Sequence, residues 1–346
     1  MIGIRVDANN IVATGHVMRC MAIAQAIQKR GETVLFFTVE KACVEIVRKN
    51  GYETILLEGH WDELGGEIIQ LQKGLRQNKC ELLLVDSYYI TNDYFQKLRQ
   101  VIPVAYIDDY GKEQYSIDIL ISYGSQLSQL EFEKIYHNTR LLIGKEYAPL
   151  REEFSGCNPK IISRTVQNVL IMIGGSDNFG FLEFIVNVVA KNEEYCDYHF
   201  TIISGKFNHS LQLLKKAAQK LRNIEILSDV SNMRDIMDQS DIAISAGGST
   251  LYELCACGVP TISYSFIDNQ LPNVRGFQTA DLVFYMGDLR DGMESCVLRC
   301  LNKMTELSCD FDKRQELSLK MQSLIDGNGA ERIAEKLLSN SCGNML

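Results

Sequence analysis

Short apolar runs alternate with segments of helical periodicity along the chain, which is the pattern of successive parallel βαβ units. In the first half, the apolar runs predict strands at residues 2–6, 33–38, 54–57, 82–85, 104–107, 117–121 and 141–143. In the second half, they predict strands at residues 169–173, 199–203, 224–227, 242–245, 261–264 and 282–284. The alternation therefore predicts an α/β fold with two Rossmann-like parallel sheets in tandem, whose loops face a central cleft.

This alternation breaks between residues 144 and 160, where Pro149 and Pro159 flank a polar run, and we interpret the break as a linker. The predicted parts are an N-terminal domain over 1–150, a C-terminal domain over 165–312 and a helical tail over 313–346. Helical spacing predicts that the first helix buries one face, formed by Val17, Cys20, Met21, Ala24 and Ile27.

Composition narrows the class of protein. A chain of 346 residues that is 46% hydrophobic can bury a core without disulfides. Its formal net charge of −9 argues against nucleic acid as a partner, although a small phosphorylated ligand needs only one local anion site.

The 11 cysteines show neither disulfide nor zinc spacing, so we expect reduced thiols and no metal site. Without a signal peptide or a membrane-length apolar run, we expect a cytoplasmic protein with no membrane partner; its oligomeric state stays open.

Polar residues follow the predicted strands of the first half, where ligands of open α/β sheets bind. His16 begins the first helix, whose dipole disfavours the charged imidazole, so His16 is a candidate general base. A structural or capping role for His16 is equally compatible with its position. Asp86 could orient a partner and Tyr88 could hold a water, although this motif taken alone favours a strand-end turn with a half-buried aromatic. The pair Asp108-Asp109 is left without a role.

Two glycine-rich loops follow strands in the second half. Gly174-Gly175-Ser176-Asp177 allows close backbone approach to a ligand, but it is neither a dinucleotide fingerprint nor a Walker loop. We therefore expect no redox cofactor and no other cofactor. Ser245-Ala246-Gly247-Gly248-Ser249-Thr250 turns from a strand into a helix and presents backbone N–H groups suited to a diphosphate.

Glu253 lies one helical turn beyond this second loop, where its carboxylate could accept hydrogen bonds from a ribose diol. Its alternative role is to complement the helix N-terminus. Asn269 and Gln270 follow the next strand and could bind sugar hydroxyls or amides.

These motifs together resemble a known enzyme family, the UDP-2,4-diacetamido-2,4,6-trideoxy-β-L-altropyranose hydrolases of pseudaminic acid biosynthesis. The resemblance runs through Arg5-Val6-Asp7, Gly15-His16-Val17-Met18-Arg19-Cys20, Asp86-Ser87-Tyr88, Gly144-Lys145-Glu146-Tyr147-Ala148-Pro149-Leu150-Arg151, Gly174-Gly175-Ser176-Asp177, Ser245-Ala246-Gly247-Gly248-Ser249-Thr250, Glu253, Asn269-Gln270 and Asp326-Gly327-Asn328-Gly329-Ala330. It covers nearly the whole chain. The glycine turn with its glutamate is also similar to a wider group, which includes the N-acetylglucosaminyltransferase of peptidoglycan synthesis.

The resemblance implies a GT-B fold with a sugar-side N-terminal domain, a UDP-side C-terminal domain and a tail that packs back toward the first. It implies hydrolysis of the anomeric C–O bond of a UDP-linked sugar, with water as the co-substrate. The catalytic residues it implies are His16, Tyr88 and Asp86. The substrate-binding residues are Arg5, Asp7, Gly15, Arg19, Gly174, Gly175, Ser176, Gly247, Gly248, Ser249, Thr250, Glu253, Asn269 and Gln270.

Two alternatives remain beside the hydrolase. A GT-B glycosyltransferase would pass an amino sugar from a UDP donor to an acceptor, but the acidic balance and the lack of a membrane-docking patch in the first half speak against it. A nucleotide-sugar-binding module without catalysis would not need His16 beside the cleft.

Overall fold

A computed structural model describes the chain except for residues 10–13, 112, 125–127, 175, 176, 178, 206, 207, 209, 220, 229 and 342–346. The chain divides into two compact units. The first unit comprises residues 1–152 together with 327–346, and the second comprises residues 153–326. Within the described residues, no helix is both long and apolar enough to span a membrane.

The first unit is built on a parallel sheet with strand order β3-β2-β1-β4-β5-β6-β7. Its strands are β1 (Ile2–Val6), β2 (Val34–Thr38), β3 (Glu53–Leu56), β4 (Leu82–Asp86), β5 (Val104–Ile107), β6 (Ile119–Ser122) and β7 (Arg140–Ile143). All seven strands predicted from the first half of the sequence are confirmed to within about two residues. The central strands are buried along their whole length because helices cover both faces of a parallel sheet.

The helices of the first unit mostly connect neighbouring parallel strands, which need a crossover connection. They are α1 (Gly15–Lys29), α2 (Lys41–Lys49), α3 (Ile68–Gln77), α4 (Asn92–Arg99), α5 (Gln129–Ile135) and, from the C-terminal segment, α13 (Gly329–Ser341). Short 3₁₀ helices occur at Leu64–Glu67, Lys145–Tyr147 and Glu152–Phe154. The face predicted for the first helix is confirmed, since Val17, Cys20, Met21, Ala24 and Ile27 are all buried.

The second unit repeats this architecture with strand order β10-β9-β8-β11-β12-β13, again parallel. Its strands are β8 (Asn168–Met172), β9 (His199–Ile203), β10 (Ile224–Leu227), β11 (Ile242–Ala246), β12 (Thr261–Ser265) and β13 (Phe284–Asp288). Its helices are α6 (Phe181–Lys191), α7 (Leu211–Ala218), α8 (Met233–Gln239), α9 (Thr250–Ala256), α10 (Gln270–Thr279), α11 (Met293–Cys309) and α12 (Phe311–Leu324). Short 3₁₀ helices lie at Glu193–Tyr195 and Leu289–Asp291.

The last strand of the second unit departs from its prediction at residues 282–284, because β13 begins only at Phe284. Leu282 is fully buried, as its apolar character suggests, but its backbone N–H bonds the Phe277 carbonyl and ends α10. Asp281, with φ 49, supplies the left-handed turn at this helix end. The first part of the apolar run at residues 282–284 therefore belongs to the end of α10, and β13 begins only at its last residue.

The predicted boundary of the C-terminal tail at residue 313 also differs from the structure. Helix α12 belongs to the second unit, and the chain joins the first unit only from Gly327 onward. There α13 packs against α1, buries Ile333, Ala334 and Leu337, and through Gly329 contacts Ala148, at the end of the 3₁₀ helix Lys145–Tyr147. A Cβ on Gly329 would overlap the backbone of Ala148, so only glycine allows this approach.

Gly329→Ala should therefore destabilise the first unit, because a backbone neighbour cannot rotate away as a flexible side chain can. Overpacking of this kind costs about 1–3 kcal/mol in the free energy of unfolding. The matched control is Gly276→Ala in α10, where the new Cβ meets no atom within 4 Å. Thermal denaturation should show a lower Tm for Gly329→Ala than for Gly276→Ala. Equal melting temperatures would contradict this account of the docking of α13.

Candidate active site

Charged and aromatic side chains of the first unit converge at the carboxyl ends of β1, β4 and β5. Strands β1 and β4 are neighbours in register, with Val6 paired to Asp86, and β5 lies beside β4. The loop after each strand therefore emerges at the same edge of the sheet. His16 and Arg19 come from α1, Asp86 ends β4, and Asp109 follows β5.

A histidine–carboxylate pair lies at the centre of this cluster. His16 Nδ1 is 2.6 Å from Asp86 Oδ1, and both side chains are buried, with 6% exposure for His16 and none for Asp86. An ionised carboxylate only accepts hydrogen bonds, so the proton of a neutral His16 sits on Nδ1. The lone pair is then on Nε2, which has no hydrogen-bond partner among the described residues. This arrangement is that of a general base whose tautomer is set by a carboxylate.

Arg19 neutralises this carboxylate. Its Nε is 2.6 Å from Asp86 Oδ2, and its second guanidinium nitrogen is 2.6 Å from Asp86 Oδ1. Burial alone raises the pKa of Asp86, but the charge of Arg19 and the hydrogen bonds from Arg19 and His16 outweigh burial and hold that pKa well below its usual range. Asp86 is therefore ionised at neutral pH. Arg19 is predicted from the sequence to bind substrate. In the structure its guanidinium already contacts both carboxylate oxygens of Asp86.

Tyr88 packs on the imidazole edge-to-face, with ring centroids 4.5 Å apart and an interplanar angle of 79°. Its hydroxyl donates to Asp109 Oδ2 at 2.8 Å. Burial and the neighbouring Asp109 charge raise the pKa of Tyr88 well above its usual value. The Tyr88 hydroxyl is consequently protonated and fixed in direction. Tyr88 can thus shape the surroundings of His16 and offer its oxygen as an acceptor.

The cluster also contains Asp109, to which the sequence assigned no role, and Tyr110 and Tyr123, which no sequence motif singled out. Asp109 accepts from Arg19 at 2.9 Å and from Tyr88, so it joins the cluster directly. Tyr123 accepts from the same Arg19 nitrogen at 2.6 Å, and the Tyr110 ring lies 5.1 Å from Tyr88. The available signal was that Asp109 and Tyr123 follow β5 and β6, at the edge that carries Asp86.

Asp108 holds the loop that carries Asp109, the second carboxylate of this cluster. Its Oδ1 accepts from the backbone N–H groups of Tyr110 and Gly111, at 2.9 and 3.0 Å. Its Oδ2 is buried and has no hydrogen-bond partner within the described part of the chain. Burial raises the pKa of Asp108 above its usual value. Asp108 therefore organises the turn in which Tyr110 meets Tyr88.

Arg5 and Asp7 form a separate buried network, which corrects the expectation that Arg5 contacts substrate. The Arg5 side chain has no exposure and binds Glu67 at 2.6 and 2.7 Å and Asp7 at 2.6 Å. Glu67 also accepts from Tyr94, and Asp7 accepts from Thr38. With all its donors directed into the protein, Arg5 stabilises the sheet edge instead of binding a ligand.

The second unit carries the predicted glycine turn at the carboxyl end of β11. Gly248 is open on its Cβ side, with no atom within 4 Å, and Ser249 is exposed. The N–H groups of Ser249 and Thr250 find no acceptor among the described residues. Gly247 has another reason to be glycine, because a Cβ there would lie 2.9 Å from Cβ of Val274 in α10. Of the pair, Gly248 is the one left free for a ligand.

The remaining predicted residues of the second unit differ in accessibility. Gly174 is exposed and has φ +93, which favours glycine, whereas Gly175 and Ser176 lie outside the described residues. Glu253 is partly buried in the first turn of α9. Asn269 is exposed, but Gln270 is 8% exposed and its carbonyl accepts from the backbone of Phe266. The Gln270 side chain therefore stabilises the loop between β12 and α10. Asn269 is the more accessible of the two to a ligand.

Comparison with known proteins places these features in context. Residues 169–281 match the glycosyltransferase family 28 C-terminal domain, a stretch that contains the glycine turn and Glu253. The spore coat polysaccharide biosynthesis protein SpsG of Bacillus subtilis is 24% identical over 345 residues, which cover 96% of each chain.

Two named enzymes are also similar. The UDP-2,4-diacetamido-2,4,6-trideoxy-beta-L-altropyranose hydrolase of Campylobacter jejuni is 23% identical over 270 residues, 77% of this chain and 92% of that enzyme. The UDP-N-acetylglucosamine--N-acetylmuramyl-(pentapeptide) pyrophosphoryl-undecaprenol N-acetylglucosamine transferase of Campylobacter jejuni subsp. doylei is 28% identical over 207 residues. That second alignment spans 57% of this chain and 56% of the transferase.

Solved structures resemble the chain along its whole length. MurG of Acinetobacter baumannii has a TM-score of 0.69 at 13% identity and covers 98% of this chain and 99% of its own. UGT2 of Phytolacca americana, solved with UDP-2fluoro-glucose and pterostilbene, has a TM-score of 0.67 at 12% identity, with 98% and 99% covered. At such identities the likeness concerns the fold alone, and that fold, expected from the sequence and now shown for two parallel-sheet α/β units, is GT-B.

Proposed function

We propose that this chain is a hydrolase of a UDP-linked amino sugar, cleaving the anomeric C–O bond to release UDP and the free sugar. The observation that carries the proposal is the His16–Asp86 pair, in which the carboxylate holds Nδ1 and leaves Nε2 available as a base. Water attacks the anomeric carbon, its proton passes to Nε2, and the bond to the UDP oxygen breaks with the electron pair leaving on UDP. The ionised Asp86 stabilises the imidazolium that forms.

The nucleotide is assigned to the second unit. The open face of Gly248 and the N–H groups of Ser249 and Thr250, which have no acceptor among the described residues, suit a diphosphate, and Glu253 suits the ribose diol. The match of residues 169–281 to a glycosyltransferase C-terminal domain supports this assignment. Asn269 and Gly174 remain candidates for contacts to the diphosphate or sugar.

Water is proposed as the acceptor for two reasons. The alignment with the Campylobacter jejuni hydrolase covers 92% of that enzyme, whereas the alignment with the transferase covers 56% of its length. The His16 side chain is also only 6% exposed, and such burial favours a small nucleophile over a bulky acceptor. By similarity to that hydrolase, the sugar is a diacetamido-trideoxy-hexose, and the free product would serve pseudaminic (nonulosonic) acid biosynthesis.

Glycosyl transfer to an acceptor is the second candidate, because the matched domain family and the MurG-like fold are those of glycosyltransferases. One assay separates the two activities. The protein is incubated with a UDP-sugar in the absence of acceptor, and free UDP is measured. Release without acceptor supports hydrolysis; release only on adding an acceptor supports transfer. Tight binding with no release under either condition would indicate a binding module.

His16→Asn should lower kcat by roughly 10²–10⁴, the usual contribution of a general base, and leave UDP affinity unchanged. His137→Asn, at an exposed position of the same unit, is the control and should behave as wild type. Running the reaction in ¹⁸O-water then identifies the bond that breaks. Label in the free sugar agrees with attack at carbon, whereas label in UDP would disprove the role given to His16.

Asp86→Asn should lower kcat by a comparable factor, because the amide no longer stabilises the imidazolium or enforces the Nδ1–H tautomer. It also leaves Arg19 partly unpaired, and breaking a buried pair destabilises by about 3–5 kcal/mol. Activity must therefore be compared at a temperature where circular dichroism shows both proteins folded. Asp93→Asn, in an exposed pair with Lys97, is the control. Unchanged turnover in folded Asp86→Asn would remove Asp86 from the mechanism.

Gly248→Ala should weaken UDP binding by about 1–3 kcal/mol without affecting stability, since the new methyl occupies open space that the diphosphate needs. Uridine, which lacks the diphosphate, should bind as before. Calorimetric titration of both ligands makes the comparison, with Gly276→Ala as the folded control. A parallel loss for uridine would show that the turn does not hold phosphate.

A further inference from the structure

Two aromatic rings pack together on the surface of the first unit, outside the cluster around His16. The rings of Trp61 and Tyr89 have centroids 4.9 Å apart and meet at 87°. Tyr89 is 42% exposed, and Trp61 is partly exposed. Paired aromatic rings left in contact with water are characteristic of binding surfaces, because their apolar area gains stability only when a ligand covers it.

The pair lies at the same edge of the sheet as the candidate active site. Trp61 lies in the loop after β3 and Tyr89 in the loop after β4, so both loops leave the carboxyl edge that carries Asp86. Tyr89 directly follows Tyr88, whose ring packs on His16. The backbone N–H of Tyr89 donates to the Ser87 hydroxyl at 3.2 Å, which fixes this turn. The ring of Tyr88 thus contacts the His16 imidazole, whereas the ring of the next residue, Tyr89, contacts Trp61.

Polar groups around the pair restrict what can bind there. The His60 ring lies 5.7 Å from Trp61, and His60 Nδ1 is paired with the Asp62 carboxylate. Glu58 and Glu63 are exposed in the same loop. Carboxylates repel a diphosphate but accept hydrogen bonds from hydroxyl or amide groups. The surface therefore suits a neutral ligand that combines apolar groups with hydrogen-bond donors.

We propose that Trp61 and Tyr89 bind the sugar of the substrate and contact its acetamido and 6-deoxy methyl groups, an inference that rests on the proposed function. An N-acylated deoxy sugar has the required chemistry, since its methyl groups are apolar and its N–H and O–H groups are donors. The pair then selects for acylated amino sugars over sugars that carry only hydroxyl groups. In this proposal His16 acts as the general base, and Trp61 and Tyr89 determine which sugar is bound.

Trp61 is the only tryptophan of the chain, so its fluorescence reports on this surface alone. The titration uses His16→Asn protein, in which substrate is consumed slowly, with UDP-2,4-diacetamido-2,4,6-trideoxy-β-L-altropyranose, UDP-N-acetylglucosamine, UDP-glucose and UDP as probes. We expect a saturable change with the acetamido sugars, little with UDP-glucose and none with UDP. No change with any probe, or the same change with UDP alone, would overturn the inference.

Kinetics of Trp61→Ala give a second, independent measurement. Loss of one aromatic contact should raise KM for the acetamido substrate by about tenfold, with kcat changed much less. Trp61→Phe should restore most of the affinity, and Leu130→Ala, at another exposed apolar position of the first unit, is the control. An unchanged KM in Trp61→Ala would refute the role of the surface.

These experiments distinguish a failure of the proposed hydrolysis from a failure of the proposed sugar-binding surface. If UDP is released without acceptor but Trp61 neither responds nor affects KM, the hydrolase stands and the sugar surface is wrong. If acetamido sugars change the fluorescence but no UDP is released, the surface stands and hydrolysis is wrong. Should Trp61→Ala fail to fold, the fluorescence titration alone decides, because it leaves Trp61 and its loop unaltered.

Discussion

A carboxylate can stay charged inside a protein only if other groups compensate for the water it has lost, and Asp86 imposes this requirement on the whole first unit. Arg19 binds both of its oxygens, and His16 occupies a further acceptor position. The guanidinium in turn needs more acceptors than one carboxylate provides, which Asp109 and Tyr123 supply. The segments at the ends of four strands, β1, β4, β5 and β6, are therefore held together by one charge balance, and the geometry of His16 follows from it.

A second buried charge network supports the same sheet edge from the other side. Arg5 on β1 is neutralised by Asp7 and by Glu67, and Glu67 lies where the loop after β3 leads into α3. Tyr94 of α4 completes the hydrogen bonds of Glu67. This network ties the segment that carries Trp61 to the strand that leads toward His16. The catalytic and sugar-binding assignments thus rest on neighbouring, separately neutralised clusters.

The strands could be predicted from the sequence because parallel strands buried on both faces read as continuous apolar runs, as in 2–6 and 104–107. Roles of polar residues were harder to predict. Arg5 on β1 and Arg19 on α1 were both predicted to bind substrate, yet Arg5 is fully enclosed, and only its three-dimensional pairing with Glu67 reveals this. Asp109 is separated from Arg19 by 90 positions, so no local pattern joins them. Leu282 was misassigned because burial is common to strands and helix caps.

The position of α13 has a consequence for the order in which the chain folds. The second unit is one continuous segment and can complete its contacts as soon as residues 153–326 have left the ribosome. The first unit must wait, because the helix that packs on α1 comes from the other end of the chain. Such distant pairing raises contact order and slows the final step of assembly. During synthesis, the face of α1 that α13 covers therefore stays exposed until the C-terminal segment has been made.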